Sequence, residues 1–220
     1  MSKQAKNGVL RAELKDRITG VTMNSFMAHG IKSVTMDNIA ASLGISKRTL
    51  YEVFPDKETL LEECIRKRLK EDDEFVNSIL STTDNVMEVI LRLFLWNIEK
   101  YHAMNKNFFE DIKKYPKACQ LIESCRHDDS EETIKFFKEG VRQGFFRSDI
   151  NFSIAELLVR NQLDLLMNSD ICYEYSFIAV YESIMFTFLR GISTEKGSKV
   201  LEDFICEYRK NLINNLNSDL

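Results

Sequence analysis

The chain has 220 residues, of which 44% are hydrophobic and 29% charged, with a formal net charge of -4. That length and apolar content exclude a disordered tail and suffice for one or two packed units. Two prolines and eight glycines, long stretches of helical period and few alternating β-branched runs predict an all-α protein.

Residues 1–8 are polar, carry Lys3 and Lys6 and end in Gly8. They read as a flexible arm, with contact to phosphate or a minor groove as the alternative. A helix is expected from Leu10 to about His29, with Leu14, Ile18, Val21 and Phe26 inward and Gly30 closing it. Thr35 is a good N-cap for a second helix, and Asp37 in its first turn suits the helix dipole. Ile39, Ala40 and Leu43 recur on one face, and Gly44 is the residue type found just past a helix end. Ile45 precedes a further N-cap, Ser46, and falls five positions before Leu50, the spacing of a hydrophobic staple. In the short helix that follows, Leu50 and Phe54 turn inward, Lys47, Arg48, Tyr51 and Glu52 share the opposite face, and Pro55 ends the run. Two short helices joined by a glycine turn, the second presenting cations and a phenol outward, predict a helix-turn-helix that lies on DNA. Charge is distributed to match. Residues 1–57 hold nine Lys or Arg against five Asp or Glu, a balance of +4 that leaves -8 for the remainder, and a basic head is what counterion release at phosphates requires.

The string TMDNIA…LGISKRTLYEVFPDKETLL resembles the DNA-binding head of the TetR family of bacterial transcriptional regulators, closely from about Ile18 to about Leu61. The resemblance implies a three-helix head, residues 1–57, linked through a helix over 56–80 to a helical ligand-binding and dimerisation domain, residues 58–220. It also implies that Lys47, Arg48, Thr49, Tyr51 and Glu52 meet the major groove of operator DNA. Thr49, Tyr51, Lys57 and the helix start at Thr35 would hold the phosphate backbone. Lys47 and Arg48 can each donate to a guanine edge or a phosphate, and Glu52 can accept from cytosine or exclude wrong bases. The sequence leaves open which cation reads a base.

Asp56 is expected to cap the linking helix, whose Leu60, Leu61, Ile65 and Leu69 form an apolar stripe. The pairs Lys67/Glu71, Arg68/Asp72 and Lys70/Glu74 lie four apart, as on a solvated face. Further helices are expected at about 84–103, 106–115, 117–143, 152–168, 174–190 and 197–216. Aromatic and Met residues are frequent there. Most are core at this spacing, but family members hollow this region for an apolar or aromatic effector, which makes Phe94, Trp96, Tyr101, Phe108, Phe109, Phe136, Phe137 and Met167 pocket candidates. The segment from Gly140 to Asp149 resembles a family turn, with Gly144 in a left-handed conformation, Phe145 or Phe146 packing back and Arg147 tied to Asp149. Beyond it, Ile154, Leu157, Leu158 and Leu165, then Phe177, Val180, Tyr181, Ile184 and Phe188, supply more apolar helical face than one core needs. By resemblance, helices 152–168 and 174–190 pair with their copies in a homodimer.

Five cysteines without paired spacing read as reduced cytoplasmic thiols, and charges interrupt every apolar run that could span a membrane. No nucleophile elbow, phosphate-cradling loop or dinucleotide fingerprint occurs, so neither catalysis nor a cofactor is expected. Cys119, Cys125 and His127 lack the paired spacing of a structural zinc site and a fourth ligand, so no metal is expected. The combined expectation is a homodimeric repressor released from operator DNA by a small effector. The alternatives are a helical protein-interaction module without DNA binding and a small-molecule carrier or enzyme using the aromatic pocket.

Overall fold

A computed structural model describes residues 3–102, 104–127, 130–168 and 171–218, with the backbone alone at 3–7, 125–127, 130, 167–168, 172–173, 213 and 215–218. Twelve helices follow one another among the described residues. They are α1 Lys3–His29, α2 Met36–Leu43, α3 Lys47–Val53, α4 Lys57–Leu80, α5 Val86–His102, α6 Lys106–Ile112, α7 Pro116–His127, α8 Ser130–Arg142, α9 Phe152–Asn168, α10 Ile171–Glu174, α11 Phe177–Ile192 and α12 Glu195–Ser218. An isolated antiparallel bridge between Phe146 and Ser193 is the one extended pairing among them. The chain divides into two compact units, Met1–Phe75 with Ala103–Asp128, and Val76–His102 with Asp129–Leu220.

In the first unit, α1 starts at Lys3 rather than Leu10, so residues 3–8 are helix where a flexible arm was expected. Gln4, Ala5 and Lys6 are strong helix formers, and one glycine costs only about 1 kcal/mol. Ile18, Phe26, Ile31, Ile39, Leu50, Phe54, Leu60 and Leu61 are sealed from solvent and hold α1 to α4 together. Leu69 is only half-buried, so the apolar stripe of α4 ends one turn early. Asp56 caps α4 by accepting the Thr59 N–H at 2.7 Å. The charge run of α4 differs from a simple solvated face: Lys67 reaches Asp16 of α1 at 2.6 Å and Arg68 lies 3.7 Å from Glu71, while Lys70 and Glu74 pair at 3.4 Å as spaced.

Helix α6 also belongs to this unit, and it docks on the turn between α1 and α2. The Asn105 N–H donates to the Met27 carbonyl at 2.7 Å and its side-chain amide to the Ala28 carbonyl at 3.2 Å. Asp111, buried, accepts the Lys32 N–H at 2.6 Å. The two Asn105 bonds satisfy carbonyls that the end of α1 leaves open.

The helix expected over 117–143 is described in two stretches, α7 up to His127 and α8 from Ser130. Ser176 caps α11 by accepting the Ala179 N–H, which shifts that helix to begin at Phe177 instead of 174.

The second unit packs around Phe94 of α5, whose ring lies 5.7 Å from Tyr181, 4.9 Å from Phe186, 5.8 Å from Phe204 and 5.4 Å from Tyr208, centroid to centroid. The turn after α8 forms as expected. Gly144 has φ +78, Phe145 and Phe146 are both buried, and Arg147 grips Asp149 with two hydrogen bonds of 3.0 and 2.6 Å. The Thr194 N–H donates to the Phe145 carbonyl and the Arg147 N–H to the Ile192 carbonyl, both at 2.9 Å, which fastens this turn to the one between α11 and α12.

Candidate nucleic-acid interface

Helices α2 and α3 owe their ends to side chains visible in the sequence. The Thr35 hydroxyl accepts the Asn38 N–H at 3.1 Å while the Asn38 side chain accepts the Thr35 N–H, a reciprocal box that satisfies two otherwise open donors. Gly44, at φ +65, reverses the chain, a conformation that a Cβ would strain. The Gly44 N–H then reaches the Ala41 carbonyl and the Ile45 N–H the Ala40 carbonyl, closing α2. Ser46 caps α3 by accepting the Thr49 N–H at 3.0 Å, and the two hydroxyls share a further bond of 2.8 Å.

Leu50 and Phe54 anchor α3 from beneath, leaving Lys47, Arg48, Tyr51 and Glu52 exposed together. Both cations are paired. The Lys47 ammonium donates to Asp37 in the first turn of α2 at 2.5 Å, and Arg48 Nε donates to Glu52 Oε1 at 2.8 Å. The Glu52 bond, then its charge, pushes the Arg48 guanidinium above its ordinary value. Thr49 is half-buried and its hydroxyl serves the cap.

Lys57 lies elsewhere than a free phosphate ligand would. Its ammonium donates to the Val34 carbonyl at 2.6 Å, sits 5.8 Å from the Phe26 ring centroid and is held below its ordinary pKa by burial, against the opposing charge of Asp111. It therefore ties the start of α4 to the residue preceding Thr35.

Two further arginines escaped the sequence reading. Arg11 donates to the Glu52 carbonyl at 3.2 Å and Arg17 to the Leu43 carbonyl at 2.9 Å, so cations of α1 close the carbonyl ends of both α3 and α2. The two contacts span 41 and 26 residues of sequence, and nothing local to Arg11 or Arg17 announces them.

The family model for bacterial regulatory proteins of the tetR family matches residues 18–64, the stretch that builds this helix-turn-helix. Over that stretch the chain carries the DNA-binding helix-turn-helix described by the tetR-family model. It is a DNA-binding transcriptional regulator. The HTH-type transcriptional repressor KstR2 of Mycolicibacterium smegmatis is 26% identical over 155 residues, covering 68% of this chain and 76% of that protein. Two solved structures share the fold. The ketosteroid transcriptional regulator KstR2 of Mycobacterium tuberculosis has a TM-score of 0.55 at 20% identity, over 82% of this chain and 95% of that one. A transcriptional regulator from Cytophaga hutchinsonii has a TM-score of 0.61 at 22% identity, over 81% and 98%.

The effector candidates are divided between the two units. Phe108 and Phe109 are buried in the first unit, edge to face at 5.9 Å. Phe94, Trp96, Tyr101, Phe136 and Phe137 belong to the second. There Phe94 is enclosed by its neighbours' rings, Tyr101 lies 4.4 Å from Phe177, and Phe137 stacks on Phe152 at 5.3 Å. The Met167 side chain lies outside the described residues. Spacing along a helix reports which residues turn inward but not whether their neighbours fill the space.

Of the residues expected between two copies, Ile154, Leu157, Leu158 and Leu165 are all more than half exposed on α9. Phe177, Val180, Ile184 and Phe188 of α11 are half-buried against the core of the second unit. Tyr181 departs from the set. It is 5% exposed, accepts a hydrogen bond from Asn97 at 3.1 Å and stacks on Phe94, so it is a core residue of its own chain. Cys119 is half-buried with its thiol pushed up by burial, and the Cys125 and His127 side chains lie outside the described residues. No helix among the described residues is long and apolar enough to cross a membrane.

Proposed function

We propose that this chain is a homodimeric repressor whose head, residues 1–57, binds operator DNA and whose body, residues 58–220, answers a small apolar or aromatic effector. The observation that carries the DNA reading is the face of α3, where Lys47, Arg48, Tyr51 and Glu52 stand exposed on a short, doubly capped helix. Such a helix fits a major groove about 12 Å wide. Tyr51, Thr49 and the α2 start at Thr35 are assigned to the phosphate backbone. Lys57 joins them only by leaving the Val34 carbonyl or by using its remaining N–H groups.

The exposed leucines and isoleucine of α9 support pairing with a second copy, because four large apolar side chains on one helix face form a patch that a monomer seldom leaves in water. The similarity to the ketosteroid transcriptional regulator KstR2 of M. tuberculosis supports an apolar effector, as does the aromatic content of the second unit. Two heads reading successive grooves need recognition helices about 34–36 Å apart. An effector that favours a body shape with another spacing would release DNA, and coupling of about 1–3 kcal/mol corresponds to roughly 5–150-fold in affinity.

Selection from a random duplex pool followed by gel shift over a salt series tests the DNA reading. An enriched sequence bound with a steep salt dependence is expected. Failure to enrich any sequence would refute it, and sedimentation of the same protein as a monomer would refute the dimer.

A further inference from the structure

We infer that Arg48 is the cation that reads a base, a guanine edge in the major groove, and that Glu52 is the positioning residue that aims it, with Lys47 left to the phosphates. The inference rests on the DNA-reading function proposed above and deepens it.

Geometry separates the two cations. The Arg48 side chain is 88% exposed, and of its donors Nε is held by Glu52 one turn on, at 2.8 Å. The two terminal nitrogens stay open as an outward fork, and a two-donor fork matches guanine O6 and N7. Glu52 thus removes rotamer freedom that arginine would otherwise lose on binding. Its own place is fixed in turn, because Arg11 holds the Glu52 carbonyl. Lys47 has no fork. Its ammonium is a point charge, drawn at 2.5 Å onto Asp37 of the preceding helix, and so ties α2 to α3 and lies closer to a backbone role. The Thr49 hydroxyl is engaged by Ser46. With one Glu52 oxygen already accepting from Arg48, the carboxylate serves the arginine before it serves a cytosine.

The test uses the full chain and the duplex enriched from a random pool, with each guanine replaced in turn by 7-deazaguanine, which lacks the N7 acceptor. One guanine per half-site is expected to show a loss of about 5- to 150-fold. Arg48→Lys, which keeps the charge and loses the fork, should lower specific binding by a similar factor, leave non-specific binding unchanged and become indifferent to that replacement. Glu52→Ala should relax base preference at the same position without weakening non-specific binding, and should add nothing in an Arg48→Lys background. Lys47→Ala should weaken specific and non-specific binding by the same factor.

Thermal melting of each variant separates loss of fold from loss of reading. Three results would overturn the inference while leaving the DNA reading intact: no guanine sensitive to N7 removal, sensitivity abolished by Lys47→Ala but not by Arg48→Lys, or Glu52→Ala lowering specific and non-specific binding equally. A pool that enriches no sequence overturns both proposals.

Discussion

Replacing Asp111 by Ala tests whether α6 holds the entrance to the helix-turn-helix. The carboxylate is 6% exposed, and its Oδ2 accepts the Lys32 N–H at 2.6 Å, while Oδ1 meets the ammonium of Lys114 at 3.2 Å. A hydrogen bond to a charged group contributes about 1.5–3 kcal/mol, and its loss leaves a part-buried N–H without an acceptor. The Lys114 contact adds little, because that side chain is 64% exposed and exposed pairs contribute about 0–1 kcal/mol. The expected cost is therefore about 2 kcal/mol, or roughly thirtyfold in a local opening equilibrium. Amide hydrogen exchange at Lys32 reads that opening directly. Protection should fall about thirtyfold in Asp111→Ala, less in Asp111→Asn, which keeps a carbonyl acceptor, and not at all in Lys114→Ala. Since the turn leads through Val34 into the Thr35 cap, DNA affinity should fall in the same order. Wild-type protection of Lys32 in Asp111→Ala would show that α6 does not hold this turn.

On α9, Leu158→Asp should give a folded monomer by sedimentation, because a carboxylate would be buried unpaired where two copies meet; a persistent dimer would place the interface elsewhere. Burial pushes the Cys64 thiol up to about 12, whereas Cys206 is exposed. At pH 8 an alkylating reagent should therefore label Cys206 and spare Cys64 in the native protein, and equal labelling would contradict the packing of α4 on α1. A Cβ on Gly140 would stand 2.2 and 2.4 Å from carbons of the buried Phe146 ring. Gly140→Ala should thus lower the melting temperature by overpacking, at about 1–3 kcal/mol against the roughly 1 kcal/mol that alanine adds in a helix. Gly191→Ala, with open space around it, should raise the melting temperature, and a rise in both variants would refute the close approach.

How much of this was legible depended on how local the cause was. Thr35, Gly44, Ser46 and Gly144 act within five residues of themselves, and the structure shows each where its spacing put it. The Arg147–Asp149 grip is likewise local. Contacts made at long sequence separation were not legible. Nothing in the string around Asp111 announces that its carboxylate meets a backbone N–H 79 residues earlier, and Lys57 carries no mark that it turns back to Val34. The aromatic residues show both cases at once. Helical period identified Phe94 and Phe137 as inward-facing, which they are, but whether an inward ring lines a space or fills one depends on the rings opposite. Tyr181 was misjudged for the same reason: its period is shared with Ile184 and Phe188, yet Asn97 and Phe94 hold it inside.

The ion pairs on α3 bear on discrimination as well as on orientation. An exposed pair contributes about 0–1 kcal/mol and a fitted bidentate base contact about 1–3, so Lys47 gives up Asp37 for a phosphate at little cost, while Arg48 keeps Glu52 on Nε and gains the base contact through its two terminal nitrogens. Asp37 and Glu52, however, stay beside the groove. Together with Lys47 and Arg48 they leave this face with no net charge, so mere proximity to phosphate gives it little. Beyond the Lys47 contact to phosphate, affinity without sequence comes from cations elsewhere on the head, where Arg11 and Arg17 bond to carbonyls and so keep their charge uncompensated. A neutral reading face flanked by positive supports lets non-specific attraction hold the head on DNA while the choice of site rests on the match between Arg48 and its base.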